Sequence, residues 1–488
     1  FFLAANFTDC DLVTFWKRRS HLTDLVVDMI PPDFSYIQKI LLPLFYTIQM
    51  SVTGTVLGIF FALVLSPFGA ANLGFPAVIR RILRIVIQIL RSFPALILAL
   101  TATFLFGLGT FAGTFAITLY TFAIMTKLTY EDASAADVKA YQALRAMGVS
   151  KYVAYIHGIL LEIIPGFLTN ALYLLETNVR HSSILGYVGA GGIGLLLNEK
   201  ISWLEYDKVG TILLMLFLTV CVIEYFSRYL AALIRKERTI KKEQARLLLL
   251  FLAALFLICT FTLSLPDFSR TSPQTLRNMF AGFLQPDWSF FFSAEKDGLG
   301  YLLLETVCIA FIGTVIGAIV SAPLAFLNTK RFVPAPVSFL FNLVIMVIRS
   351  VPFLVYGLIF IRVSGPGAFT GVLTLAVCSI GLLTKRFTEA LDALDPRPYH
   401  ALLAMGVRPL PAICHSVLPQ LKPVFTSIIL YRFDVNIREA SVLGLVGAGG
   451  IGAPLIFSMN QKAGAIMLGL ILLVWFIDMV SEKIGAGN

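Results

Sequence analysis

Two closely similar stretches of sequence decide the fold of this chain: Tyr141-Gln-Ala-Leu-Arg-Ala-Met-Gly-Val149 and Tyr399-His-Ala-Leu-Leu-Ala-Met-Gly-Val407. The spacing between them holds without a gap over a long span that begins near Lys127. Each stretch is polar and lies between strongly apolar segments. The chain is therefore an internal duplication, with a first transmembrane repeat predicted over residues 1–238 and a second over residues 239–488.

The composition indicates that lipid is the solvent for much of the surface. The chain has 488 residues, of which 58% are hydrophobic and only 14% are charged, whereas soluble proteins average about 25% charged residues. The 41 phenylalanines outnumber the 28 acidic residues and exceed what a water-soluble globule can bury. We therefore predict an all-α polytopic membrane protein.

The net charge of +10 does not indicate a nucleic-acid partner. Most basic residues lie in short loops between apolar segments, as the positive-inside rule expects of cytoplasmic connections. The six cysteines are scattered singly and show no metal-ligand spacing, so neither a disulfide framework nor a metal site is predicted.

The apolar segments predict six spans per half and twelve in the intact protein, since each is long enough to cross about 30 Å of hydrocarbon. The short apolar stretch at residues 1–5 resembles the end of a longer helix, so most of the first helix of the first half is expected to be missing from this sequence. The other predicted spans are 46–68, 80–107, 110–126, 152–178, 209–233, 247–265, 301–327, 337–363, 368–384, 411–436 and 463–481.

A glycine-rich run after the fifth span of each half matches the G-x-G-x-x-G pattern of dinucleotide-binding proteins. That fingerprint needs a strand before it and an acidic residue about 20 residues after it. Here it lies between two membrane spans, and no acidic residue follows at matching positions in both copies. We therefore predict a tight, backbone-dense turn, formed by Gly189, Gly191, Gly192, Gly194, Gly447, Gly449, Gly450 and Gly452.

The repeated polar stretch resembles the cytoplasmic coupling loop, or EAA loop, of ATP-binding-cassette importer permeases. That loop has Glu-Ala-Ala, then a glycine, then Leu-Pro about a dozen residues later. The second copy keeps Leu418 and Pro419 at those spacings, whereas the first has Leu161 in place of the proline. Both copies lack the glutamate, having Gln142 and His400 there. These differences predict that the two halves bind their ATPases unequally.

A longer match identifies one branch of this family. The segment Asp395–Gly406, the Asn-x-Arg before each glycine run and the runs themselves are similar to phosphonate-importer permeases, as two such permeases fused head to tail. The resemblance implies two tandem six-helix permease halves of the type I importer fold, of the methionine/phosphonate type. Importers of methionine share the loop and the glycines, so a methionine permease stays open as an alternative.

The resemblance also implies the partners. Two copies of an ATP-binding-cassette ATPase would bind the loops at 127–151 and 385–408, and an extracytoplasmic solute-binding protein would deliver the substrate in a bacterial cytoplasmic (inner) membrane. ATP and Mg²⁺ would be held by that ATPase, because this chain has no phosphate-cradling G-x-x-x-x-G-K-[ST] loop and no arrangement of catalytic residues. The implied ATPase-coupling residues are Ala143, Met147, Gly148, Ala401, Met405 and Gly406.

A substrate path is predicted at the outer end of the fifth span of each half. A guanidinium fork suits the oxygens of a phosphorus oxyanion, which favours the pairs Asn178 with Arg180 and Asn436 with Arg438. The alternative is that these arginines anchor the helix ends or form ion pairs with Glu176, Asp434 and Glu439.

Other ionisable residues inside the spans receive more modest interpretations. Arg91 and Arg349 precede prolines within the third span and are interpreted as structural. A secondary transporter driven by ions is the rival function class. It is disfavoured, because the spans contain few carboxylates and no repeated acidic relay.

Overall fold

The computed structural model describes residues 2–8, 17–234, 241–264, 266, 285–293, 295, 298–452, 454 and 461–486. Every regular element among these residues is a helix, which confirms the all-α fold class. Eight helices are long and apolar enough to cross a membrane, and ten spans result if each of two bent helix pairs counts as one. The chain is a multi-pass membrane protein.

The chain folds into two compact units, residues 28–277 (the first unit) and residues 1–27 together with 278–488 (the second unit). The helices up to the middle of the chain are α1 Phe2–Phe7, α2 Arg19–Asp28, α3 Ile37–Gly69, α4 Ala77–Ser92, α5 Ala95–Phe106, α6 Thr110–Ala135, α7 Lys139–Ala146, α8 Lys151–Tyr155, α9 Leu161–Leu185, α10 Ile193–Ser202, α11 Tyr206–Ile234 and α12 Lys242–Phe261. The remaining helices are α13 Trp288–Phe291, α14 Leu299–Asn328, α15 Ala335–Ser350, α16 Phe353–Ser364, α17 Ala368–Ala393, α18 Arg397–Ala404, α19 Pro409–Ala412, α20 Leu418–Leu443 and α21 Gln461–Ala486.

The compact units differ from the sequence repeats in their first helices. Helix α12 begins the second repeat but packs against α3 of the first unit, where Gln49 Nε2 donates to the carbonyl oxygen of Cys259 at 3.0 Å and to Thr262 Oγ1 at 2.8 Å. Helix α1 packs against α14 of the second unit, with the rings of Phe7 and Tyr301 4.7 Å apart. The first helix described in each repeat thus belongs spatially to the other repeat's unit.

Close helix contacts at small residues form the centre of each unit. At Gly58 in α3, an added Cβ would lie 2.7 Å from Thr121 Cβ in α6. In the second unit, an added Cβ at Gly313 in α14 would lie 2.7 Å from Leu375 Cβ in α17. The two backbones approach so closely that only glycine fits, which is how helices without a hydrophobic driving force associate in lipid.

The third predicted span of each half, over 80–107 and 337–363, is divided between two helices that meet at a sharp bend. Helices α4 and α5 meet at 93°, and α15 and α16 meet at 87°. Pro94 and Pro352 start the second helix of each pair, and the residues before them are extended, with ψ of 125° at Phe93 and Val351. A proline disfavours helical conformation in the preceding residue, which explains the position of the break.

Replacing Gly58 by alanine should destabilise the protein. The added Cβ would lie 2.7 Å from Thr121 Cβ and 2.8 Å from the carbonyl oxygen of Thr118, so α3 and α6 must move apart. Overpacking of this kind costs about 1–3 kcal/mol. We expect a lower melting temperature for the detergent-solubilised protein, measured by loss of the monodisperse peak in size-exclusion chromatography.

The matched control is Gly166→Ala in α9, where the added methyl group meets only Asp132 Oδ2, at 4.0 Å. Alanine also raises helix propensity by about 1 kcal/mol relative to glycine. This variant should melt at the wild-type temperature or above it. Equal melting temperatures for the two variants would contradict the packing at Gly58.

Candidate functional site

The repeated polar stretch folds into a short helix in each half, α7 and α18, which we call the coupling helices. The first ends in a Schellman motif: Gly148 has a φ of 85° and its N–H donates to the carbonyl of Arg145 at 3.1 Å. The N–H of Val149 donates to the carbonyl of Leu144 at 3.2 Å. A left-handed residue at this position is strained unless it is glycine, so Gly148 fixes where the helix ends.

The second coupling helix has the same cap. Gly406 has a φ of 84° and its N–H donates to the carbonyl of Leu403 at 2.9 Å. The N–H of Val407 donates to the carbonyl of Leu402 at 3.1 Å. The two halves therefore present the end of the coupling helix in the same way, although their sequences differ at Arg145 and Leu403.

An aspartate marks the start of each coupling helix. Asp137 Oδ1 accepts a hydrogen bond from the backbone N–H of Lys139 at 3.0 Å, and Asp395 Oδ1 accepts one from Arg397 at 3.0 Å. This backbone bond is the main reason that the pKa of Asp137 is lower than usual. Each carboxylate satisfies an N–H that has no partner within the helix.

One tyrosine holds each coupling helix against its unit. Tyr141 is buried, and its hydroxyl donates to the carbonyl oxygen of Leu73 at 2.7 Å, in a cluster that includes Tyr130 and Tyr155. Tyr399 is half-buried, and its ring lies 5.5 Å from that of Phe332. The tyrosine face of the helix is thus fixed, and the opposite face points away from the unit.

The opposite face is apolar and exposed. Met147 is 71% exposed and Met405 is 78% exposed. We call the surface formed by these residues the coupling face, and in each half it is made of one methionine, two alanines and the capping glycine: Ala143, Ala146, Met147 and Gly148, and Ala401, Ala404, Met405 and Gly406. Ala146 and Ala404 belong to it because they follow the first alanine by three residues, one turn of helix. Exposed methionine adapts to irregular partner surfaces.

A π-helical turn connects each coupling segment to the long fifth helix. It spans Ile156–Leu160 before α9 and Ile413–Val417 before α20, and it places His157 and His415 at the surface. At Gly158, within the first turn, an added Cβ would lie 2.8 Å from the backbone nitrogen of Tyr141. The coupling helix therefore rests directly on the base of the fifth helix. Such turns are frequent at functional sites, and the sequence shows no pattern that predicts them.

The two asparagines predicted for the substrate path are fully buried inside the units. Asn178 Nδ2 donates to Thr55 Oγ1 at 2.8 Å and to Thr121 Oγ1 at 2.7 Å. Asn436 Nδ2 makes the equivalent bonds in the second unit, to Thr314 Oγ1 at 2.6 Å and Ser379 Oγ at 2.9 Å. Each asparagine thus joins three helices.

The two arginines predicted for the path lie within helices α9 and α20, which continue to Leu185 and Leu443, and not at the helix ends. Arg180 forms an ion pair with Glu176 at 2.5 Å, and its side chain is 14% exposed. Arg438 forms the equivalent pair with Asp434 and is 13% exposed. Both belong to the ion pairs named as the alternative, and their contact with a substrate stays a prediction.

The glycine-rich runs form tight turns between helices. Positive φ angles of 77–85° occur at Gly189, Gly191, Gly192, Gly447, Gly449 and Gly450. At Gly194 and Gly452, an added Cβ would collide with the carbonyl oxygens of Ser183 and Ser441. In both halves a 3₁₀ turn precedes the run in the described chain, where a dinucleotide fingerprint has a strand.

A threonine of the second span holds each glycine turn in place. Thr47 Oγ1 accepts from the N–H of Ile193 at 2.9 Å, and Thr306 Oγ1 accepts from the N–H of Ile451 at 3.0 Å. In the second unit Glu305 Oε2 also accepts from the N–H of Gly450 at 3.0 Å. The turns are therefore seated on the long helices α3 and α14.

The arginines before the breaks in the third span lie at the ends of α4 and α15. Arg349 is 9% exposed, and an added Cβ at Gly381 would lie 2.9 Å from its Cγ. Arg91 is half-buried. A glycine in α17 thus makes room for the stem of Arg349, while a structural role for both arginines stays a prediction.

Comparison with known proteins matches the chain twice to one family model, described as binding-protein-dependent transport system inner membrane component, over residues 54–238 and 313–484. The phosphate-import permease protein PhnE of Mycolicibacterium smegmatis is 27% identical, over 94% of this chain and 88% of its own length. The phosphite transport system permease protein PtxC of Stutzerimonas stutzeri is 36% identical, over 37% of this chain and 67% of its own.

Among solved structures, a chain of the MetNI methionine ABC transporter in an inward-facing conformation aligns with 41% of this chain and 99% of its own length, at 21% identity and a TM-score of 0.38. The family of the chain is shown by the two family matches and not by this structural likeness. The two family matches cover one stretch in each repeat and include both coupling helices and both glycine turns. The chain therefore belongs to the family of binding-protein-dependent transport system inner membrane components, whose unit it contains twice.

Proposed function

We propose that this protein is the membrane permease of an ATP-driven importer of phosphorus oxyanions, with phosphonate, phosphite and phosphate as candidate substrates. The observation that carries the proposal is the coupling face, which recurs in both halves with the same composition and the same cap. The substrate class is supported by relatives named as phosphate-import and phosphite transport permeases. It is also supported by the arginines at the predicted path.

In this proposal each coupling helix inserts its exposed face into a groove on one ATPase subunit, so that two ATPase copies bind one chain. A short apolar helix face is a common means of docking in a groove. ATP and Mg²⁺ are bound by the ATPase. When the ATPases move, the coupling helices transmit the motion through the π turns to α9 and α20, and access to the path alternates between the two sides.

The proposal places the coupling faces in the cytoplasm of a bacterial cell with the chain in the inner membrane. The basic residues in the loops on that side support this orientation. An extracytoplasmic solute-binding protein then delivers the oxyanion at the opposite surface, where Arg180 and Arg438 would line the path. Their resident carboxylates, Glu176 and Asp434, neutralise them until an anion arrives.

Replacing Gly148 and Gly406 by aspartate should uncouple the protein from its ATPase while leaving it in the membrane. No atom lies within 4 Å of an added Cβ at either position, so an aspartate side chain has space. Both positions have positive φ, so the aspartate strains the backbone of the helix cap. The variant also places a charge on an apolar face. We expect ATP-dependent uptake and co-purification of the ATPase to fall by about tenfold or more.

The matched control is the double variant Gly107→Asp and Gly365→Asp. These glycines are another pair related by the repeat, also have positive φ, and also have no atom within 4 Å of an added Cβ. They precede α6 and α17, at the opposite end from the coupling helices. This variant should bind the ATPase as the wild type does. Wild-type coupling in the Gly148 and Gly406 variant would sink the docking assignment.

Replacing Arg180 and Arg438 by glutamine should lower oxyanion uptake at least about fivefold, because each change removes a guanidinium fork from the path. Uptake of radiolabelled phosphite into proteoliposomes containing the complete transporter measures this. A half-buried ion pair outside both coupling loops serves as the control, Lys208 with Glu205 at 2.8 Å.

The control variant, Lys208→Gln, removes an ion pair at the start of α11, outside both coupling loops. We expect its uptake to match the wild type. If the Arg180 and Arg438 variant also transports at the wild-type rate, these arginines take no part in the path.

The substrate class can be tested on the solute-binding protein that works with this permease. Calorimetric titration with phosphonate, phosphite, phosphate and methionine should show binding of at least one phosphorus anion and none of methionine. Importers of methionine share the coupling loop and the glycine run, so methionine is the meaningful competitor. Binding of methionine alone would replace the proposed substrate with that amino acid.

A further inference from the structure

A third ion pair lies in α20, where Glu439, named above as a possible partner of the path arginines, pairs with Arg432 instead. Arg432 NH2 lies 2.8 Å from Glu439 Oε2, and Arg432 NH1 lies 3.4 Å from Glu439 Oε1. The Arg432 side chain is 5% exposed and that of Glu439 is 15% exposed. Both terminal nitrogens of the guanidinium thus face one carboxylate, almost out of contact with solvent.

Arg432 lies near the middle of a helix that is long and apolar enough to cross a membrane. At about 1.5 Å per residue, about 21 Å of α20 separate Leu418 from Arg432 and about 17 Å separate it from Leu443. An arginine at such a depth costs several kcal/mol, and intramembrane charges of this kind mark substrate or ion pathways. The position therefore calls for a functional explanation.

The first repeat supplies an internal control for the role of this pair in folding. Leu174 occupies the position that matches Arg432, and His181 the position that matches Glu439. Leu174 is buried among Met125, Phe167 and Ala171, in a helix that ends at the matching residue and makes the equivalent asparagine bonds. The shared architecture is thus built without the ion pair, and buried ion pairs are weak contributors to stability relative to apolar residues.

The surroundings hold the guanidinium in a fixed orientation. Arg432 Nε donates to Ser379 Oγ at 3.3 Å, and the same hydroxyl accepts from Asn436 Nδ2 at 2.9 Å. Asn436 is itself fixed by its bond to Thr314 at 2.6 Å. Because Nε is hydrogen-bonded to Ser379, NH1 and NH2 remain as a pair of donors that faces Glu439.

The occupant of that fork has the chemistry of the proposed cargo. The two oxygens of Glu439 lie against NH1 and NH2 in the way that two oxygens of a phosphonate or phosphite would. A guanidinium binds either partner bidentately. An arriving oxyanion can therefore replace the carboxylate on the same two donors.

We propose that Arg432 contacts the oxyanion during its passage and that Glu439 is the counter-ion that the oxyanion displaces. The inference rests on the proposed function, which it deepens by assigning a specificity-determining residue to the second half alone. Before the anion arrives, Glu439 neutralises the buried arginine. After the anion leaves, Glu439 returns to the fork and blocks rebinding.

Two variants that break the same ion pair should act in opposite directions. Glu439→Gln leaves the fork in place without its competitor, so the purified permease–ATPase complex should bind phosphite about tenfold more tightly than wild type in equilibrium dialysis. The double variant Arg432→Leu with Glu439→His copies the first half and removes the fork. It should lose this binding, and its phosphite uptake in proteoliposomes with the solute-binding protein should fall about tenfold or more.

A purely structural pair predicts the same effect for both variants, so opposite effects support the proposal. Phosphite binding by Glu439→Gln no tighter than by wild type, or wild-type uptake by the double variant, would overturn it. Failure of the double variant to elute as a folded complex would also overturn it, because the argument holds that this architecture does not need the pair. Arg432→Lys, which keeps the charge without the fork, should bind phosphite several-fold more weakly than wild type.

The wild-type arm separates this inference from the proposed function. Suppose that wild type imports phosphite, phosphate or phosphonate, and that Glu439→Gln and the double variant change phosphite binding in the same direction. The proposed role of Arg432 is then wrong and the proposed function stands. If wild type imports none of these anions with its own solute-binding protein present, the proposed function fails and takes the assignment of Arg432 with it.

Discussion

The architecture of each half depends on one buried asparagine amide. Lipid offers no hydrogen-bonding partner, so a polar side chain in a span must find its partner within the protein. Asn178 and Asn436 do so by donating two hydrogen bonds each, to hydroxyls on two neighbouring helices. Such bonds are worth about 1–2 kcal/mol at most, but they require three helices to lie in one register. The close glycine contacts at Gly58 and Gly313 are possible only in that register.

The helix that carries the asparagine also connects the two ends of the predicted mechanism. At one end of α9 and α20 lies the π turn on which the coupling helix rests, and at the other lies the glycine turn. In the first half, Gly158 of the π turn packs against the backbone of Tyr141, and Thr47 accepts from the N–H of Ile193 at the glycine turn. In the proposed mechanism, a displacement of the coupling helix would reach α9 through the π turn against which that helix packs.

The sequence predicts those features that depend on local chemistry. The coupling helices come from short polar stretches that end in glycine, a residue suited to a left-handed cap, and the repeat shows that the pattern is not accidental. The bends were not predictable in the same way, because proline has two outcomes in this chain. Pro165 and Pro423 stay inside α9 and α20, whereas Pro94 and Pro352 end one helix and start another at about a right angle. Packing with neighbouring helices decides whether a helix continues through a proline or breaks at it, and the local sequence does not predict that packing.

Long-range arrangements were also beyond the sequence. The exchange of first helices between the compact units depends on contacts such as Gln49 with Cys259, far apart in the chain. The fifth helix was predicted to end at Asn178, because polar residues follow it. The structure continues it to Leu185, since Arg180 is neutralised by Glu176 one turn away. An arginine expected at a helix end is thus a paired group inside the helix.

Comparison of the two repeats separates what the fold requires from what is added to it. Positions that agree are the asparagines, the threonines under the glycine turns and the capping glycines, all of which satisfy or position backbone and hydroxyl groups. Positions that differ include Arg432 for Leu174 and Glu305 for Tyr46, and both additions are charges in the second half. Glu305 binds the backbone of the glycine turn, and Arg432 is held at the centre of α20. The two halves are therefore equivalent as scaffolds and different in electrostatics.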